Sequence, residues 1–71
     1  MRNRLKYWRH QLLFDRQKDF AEWLEVSAYS LNRWEAQATQ PDLSSLWKIY
    51  KRIKEKFPEI HIEDLLEEAP E

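Results

Sequence analysis

The 71-residue chain has no cysteine and no glycine, and only Val26, Thr39, Ile49, Ile53, Ile60 and Ile62 are β-branched. Without cysteine there is no disulfide framework and no thiolate metal site. The scarcity of β-branched residues, set against abundant Leu, Lys, Arg, Glu and Gln, excludes an extensive sheet and favours helices. No apolar run approaches the roughly 20 residues that span a bilayer. The opening Met-Arg-Asn-Arg-Leu-Lys also lacks the apolar run of a signal peptide, so the expectation is a soluble cytoplasmic protein without a membrane partner. At this length, one domain over 1–71 with one small core is expected. A chamber for a small-molecule substrate would leave too little chain to hold the fold together.

The charge is unevenly spread. The formal net charge is -1, but residues 1–56 hold all 12 Lys and Arg with 7 acids, a net of +5. Residues 57–71 hold the other 6 acids and no Lys or Arg, a net of -6. A basic body with an acidic C-terminal segment keeps nucleic acid open as a partner, which the overall charge alone would discourage.

Apolar spacing predicts an all-α chain of five helices. Leu5, Trp8, Leu12 and Leu13 share a face over 4–13, with Asn3 as N-cap. A helix over 16–24, capped by Asp15, buries Phe20, Ala21 and Leu24 and leaves Trp23 at its edge. Ser27 caps a third helix, 28–36, with Leu31 and Trp34 inward. Asp42, just after Pro41, caps a fourth that turns Leu43, Leu46, Trp47, Ile49, Tyr50 and Ile53 inward and Lys48, Lys51, Arg52 and Lys54 outward, ending at Phe57-Pro58. A last helix over about 62–68 carries Ile62, Leu65 and Leu66. Trp8, Trp34, Trp47 and Tyr50 read as core, whereas Trp23, Phe57, Ile60, Leu65 and Leu66 read as a candidate dimer surface.

The segment 16–36 holds the most specific signal. Two short helices separated only by Glu25-Val26-Ser27 fit a helix-turn-helix connection, with Ala21 small where the second helix approaches. Around it stand Arg9, Gln17-Lys18-Asp19-Phe20-Ala21, Leu24-Glu25-Val26-Ser27, Arg33-Trp34-Glu35, Gln40-Pro41-Asp42-Leu43 and Ile62-Glu63-Asp64-Leu65-Leu66. Together these pieces resemble the Cro/XRE-type helix-turn-helix regulators related to the lambdoid phage repressors, over about residues 4–66. The resemblance implies a compact five-helix lambda-repressor-like domain. It also implies a buried salt bridge between Arg9 and Glu35 and a DNA-contacting glutamine at Gln17. The family has glycine where Glu25 and Gln37 stand here; if both positions need φ > 0, these residues carry strain.

In such a domain the third helix enters the major groove of double-stranded DNA. Ala28, Tyr29, Asn32 and Arg33 are then the base-reading candidates: Ala28 for a thymine methyl, Tyr29 for a base edge, Asn32 for adenine and Arg33 for guanine or phosphate. Arg16, Gln17, Lys18, Ser27, Ser30, Thr39 and Gln40 are the candidates for phosphate contact and positioning. The plainer readings are a solvated helix face and ordinary caps. The expected function is a sequence-specific transcriptional regulator, a repressor of prokaryotic or phage type. It would act without a cofactor and as a homodimer through 57–71. The alternative is an interaction module of the same fold, antitoxin-like or an anti-regulator. Neither His10 nor His61 sits in a metal-ligand spacing, and no catalytic motif is present, so neither a metal site nor an enzyme is expected.

Overall fold

The structure, a computed structural model, describes residues 2–67. Four helices account for most of it: α1 (Leu5–Gln11), α2 (Gln17–Leu24), α3 (Ala28–Glu35) and α4 (Leu43–Lys54). A 3-10 turn over Ile62–Leu65 follows, and the strand β1 (Arg2–Asn3) pairs antiparallel with β2 (Leu66–Glu67), Asn3 facing Leu66. The predicted fifth helix is therefore corrected. Asp64 closes a single turn on His61, through its amide to the His61 carbonyl and its carboxylate to the His61 amide. The chain then leaves as a strand because the N-terminal segment offers it backbone partners, β1 and, just after it, the Arg4 amide, which donates to the Leu65 carbonyl at 2.8 Å. Residue 68, the end of the predicted helix, lies outside the described residues.

The core is built from one face of each helix and from the C-terminal turn. Leu5, Phe20, Leu24, Leu31, Ile49, Ile53 and Leu65 are fully buried, and Ala21, Trp34, Leu46 and Ile60 complete the cluster. Phe14, Phe20 and Trp23 stack at its edge with ring centroids 5.5–6.2 Å apart. Two expectations about this core need correction. On α4 the buried stripe is Leu46, Ile49 and Ile53, and Leu43 and Trp47 lie beside it, 78% and 51% exposed. Conversely, Ile60 and Leu65 are buried and so are no part of a dimer surface. No helix among the described residues is long and apolar enough to cross a membrane.

Caps mark where the helices start. The Ser27 hydroxyl accepts from the Ser30 amide at 3.0 Å, and the Asp42 carboxylate accepts from the Ser45 amide at 3.2 Å. Hydrogen bonds from the Ser45 side chain and backbone hold the Asp42 carboxyl below its ordinary value of 3.8. This cap is therefore intact at neutral pH and lost as the pH falls through the lowered value. Asn3 supplies its predicted bond, accepting from the Leu5 amide at 3.1 Å, although Arg4 occupies the cap position. Asp15 does not cap α2: its carbonyl is held by Arg9, and the helix starts one residue later, from an extended Arg16.

The first three helices end alike. Leu13, Glu25 and Gln37 adopt the left-handed conformation, with φ of 63°, 61° and 62°. In each case the next amide reaches back five residues: Phe14 to the Arg9 carbonyl, Val26 to Ala21 and Ala38 to Arg33, at 2.9–3.0 Å. These are Schellman closures, which helices usually make with glycine. This chain makes all three without it. Leu13, predicted to lie within the first helix on its core face, instead sits past its end and is 86% exposed.

Candidate nucleic-acid interface

The turn of Glu25, Val26 and Ser27 joins α2 to α3, so the exposed face of α3 is set by what its other face buries. Leu31, Trp34 and Glu35 point inward. Ala28, Tyr29 and Asn32 are exposed and Arg33 is half-buried, on the remaining face of the helix. Tyr29 is 73% exposed, and the Arg33 guanidinium lies 5.8 Å from its ring centroid. This cation-π contact is one turn long, between residues four apart, and it restrains two otherwise mobile side chains.

Behind that face lies a polar clasp. Arg9 Nε donates to both Glu35 carboxylate oxygens, at 3.2 and 3.1 Å, and the two side chains are only 9% and 2% exposed. Arg9 Nη1 also donates to the Phe14 and Asp15 carbonyls, fixing the loop before α2. Gln17 Nε2 donates to Glu35 Oε1 at 3.2 Å, while Gln17 Oε1 accepts from Asn32 Nδ2 at 3.0 Å. The ion pair expected from the resemblance is thus present, and a hydrogen-bond relay links it through the first residue of α2 to the exposed face of α3. Gln17 is half-buried within this relay, and Asn32 is held with its Oδ1 left over as an acceptor.

A shallow cleft of about 220 Å³ opens over the clasp, lined by Lys6, Arg9, Gln17, Asn32, Glu35 and Ala36. Its exposed cation, Lys6, was not anticipated. The signal for it was its place three residues before Arg9, on the same side of α1. Arg16 and Lys18 are exposed at the start of α2. Ser27 and Ser30 form one unit, with hydroxyls 2.8 Å apart, so their first use is to cap α3. Thr39 is exposed beyond the end of α3.

Gln40 is drawn elsewhere, into a second clasp. Gln37 presents its side-chain amide to the backbone of Asn3, accepting from the Asn3 amide and donating to the Asn3 carbonyl, both at 3.0 Å. In effect it is a one-residue strand on the free edge of β1. The buried Asn3 side chain donates to the Trp34 carbonyl at 2.7 Å and to Gln40 Oε1 at 2.9 Å, and Gln40 donates to Gln37 at 3.1 Å. Gln40 thus serves structure before any contact with a partner. Among the described residues, no group of three His, Asp or Glu side chains is placed to hold a metal ion. The chain matches no protein-family model, no curated protein and no solved structure.

Proposed function

We propose that this chain is a sequence-specific double-stranded-DNA-binding regulator, a transcriptional repressor of the Cro/XRE helix-turn-helix kind with a lambda-repressor-like fold. One observation carries the reading: α3, capped by Ser27 and buried along Leu31, Trp34 and Glu35, turns Ala28, Tyr29 and Asn32 to solvent with the half-buried Arg33 beside them, as one pre-ordered face. A helix of this size fits the major groove, and these four side chains carry the methyl, ring, amide and guanidinium groups that distinguish base pairs there. Lys6, Arg16 and Lys18 supply charge for the phosphates beside it, and Thr39 a hydroxyl. Because one such face covers few base pairs, two copies bind half-sites about one helical turn apart.

Selection from a random duplex pool tests this directly. The expected product is a palindromic site bound with a steep salt dependence. The double variant Tyr29→Ala with Arg33→Ala should lose roughly 1–3 kcal/mol of discrimination per lost base contact while melting like the parent. Enrichment of no duplex would defeat the reading. The exposed Leu43 and Trp47 on α4 would then favour the second one, an interaction module of the same architecture.

A further inference from the structure

A second cleft, of about 470 Å³, lies between α4 and the turn that joins α2 to α3, and it shares no residue with the duplex-reading face. Its volume falls in the range of small-molecule sites. One stripe of α4 forms its length, since Ser44, Trp47, Lys51 and Glu55 follow one another at spacings of three and four, with Lys48 and Arg52 alongside. Leu24 and Glu25 form the opposite side. Trp47 is 51% exposed although Tyr50 packs against it at 5.4 Å between ring centroids, so an indole surface remains open on the wall of the cleft.

The charges around that wall are unequally engaged. Arg52 is occupied: its Nε donates to the Trp23 carbonyl at 2.8 Å and its Nη1 to the Glu55 carboxylate at 2.7 Å. Lys48 Nζ donates to the Glu25 carbonyl at 2.8 Å, which fixes the ammonium and leaves it two N–H bonds to give. Lys51, one turn from both Trp47 and Lys48, is exposed and enters no salt bridge among the described residues. Three cations and two carboxylates line the cleft, so one positive charge is in excess. A single excess charge suits a monoanion. It suits a duplex backbone poorly, because phosphate charges spaced about 1.7 Å along the axis would meet Glu25 and Glu55 as well as the lysines. We propose that this cleft is a binding site for a small aromatic carboxylate, its ring stacked on Trp47 and its carboxylate held by Lys48 and Lys51. Offset stacking on the indole supplies the contact area, and two ammonium groups on successive turns of one helix give the carboxylate charge-assisted hydrogen bonds.

The test uses naphthalene-2-carboxylate as probe and needs neither DNA nor a second copy, so it stands apart from the duplex reading. Titration of the full chain, followed through the backbone amide signals of Glu25, Lys48 and Lys51, should show saturable shifts with a Kd below about 1 mM. Naphthalene-2-carboxamide, which keeps the rings and loses the charge, should bind at least about tenfold more weakly, and cyclohexanecarboxylate, which keeps the charge and loses the aromatic face, likewise. Trp47→Ala and the double variant Lys48→Gln with Lys51→Gln should each weaken the probe at least about tenfold while melting as folded proteins. Lys56→Gln, beyond the end of α4 and outside the cleft, should leave the Kd unchanged. Shifts that do not saturate by about 10 mM overturn the proposal. So does a carboxamide that binds as tightly as the carboxylate, or a probe indifferent to Trp47→Ala or to loss of the two lysines.

Discussion

The joints at Leu13 and Gln37 share a backbone conformation and differ in everything else. Both place a non-glycine residue at φ near 60°, an arrangement that costs roughly 1 kcal/mol or more relative to glycine. Gln37 offsets this with two hydrogen bonds to the Asn3 backbone, groups that are buried and would otherwise lack partners on that edge. Leu13 is 86% exposed and offsets nothing. Glu25 stands between them: its side chain makes no hydrogen bond among the described residues, and only its carbonyl is used, by Lys48. Glycine is therefore the better residue at a left-handed joint only where the side chain has no other task.

Two clasps meet near the Gln37 joint, one charged through Glu35 and one neutral through Gln37, and they set the scale for breaking it. The largest effect belongs to the charged one. Glu35→Ala leaves the Arg9 guanidinium buried without its carboxylate, a loss of about 3–5 kcal/mol against the roughly 4–11 kcal/mol a chain of this length has in total. Denaturant unfolding should show most of the stability gone. A variant as stable as the parent would mean that the neutral clasp alone holds the end of α3. Next comes Asn3→Ala, which deprives the buried Leu5 amide of its partner and the Trp34 carbonyl of one of its two donors, the other being the Gln37 amide. With unsatisfied buried groups costing about 1–3 kcal/mol, the midpoint should move clearly, yet less than for Glu35→Ala.

These residues also show what the sequence discloses. The starts of α3 and α4 were legible because a cap is one residue bonding three positions ahead, as Ser27 and Asp42 do. The exposed face of α3 was legible from spacing alone, and the Arg9–Glu35 pair came through the resemblance. The neutral clasp was not legible, since Asn3 and Gln37 are 34 residues apart and meet only after α1 and α3 have packed. Nor was the Gln17–Asn32 bond, which depends on how α2 and α3 cross. Two-residue strands carry no alternation to read, so β2 passed for helix. Leu13 and Trp47 misled for a common reason: apolarity at helical spacing suggests burial, but Leu13 sits past the end of α1 and Trp47 lies beside the buried stripe of α4.

The smallest effects are the most pointed, because one substitution is made at both joints. Gln37→Gly relieves the left-handed strain but leaves the buried Asn3 amide and carbonyl unpaired, so the net result should be a loss of about 1 kcal/mol. Leu13→Gly relieves the same strain and loses almost no packing. Glycine also loosens the unfolded chain, which takes back part of the gain and leaves about 0.5–1 kcal/mol. Thermal melts should therefore move in opposite directions, Gln37→Gly down and Leu13→Gly up by a few degrees, with Glu25→Gly following Leu13. If all three rise together, the Gln37 amide contributes nothing at its joint, and glycine would have served at each of them.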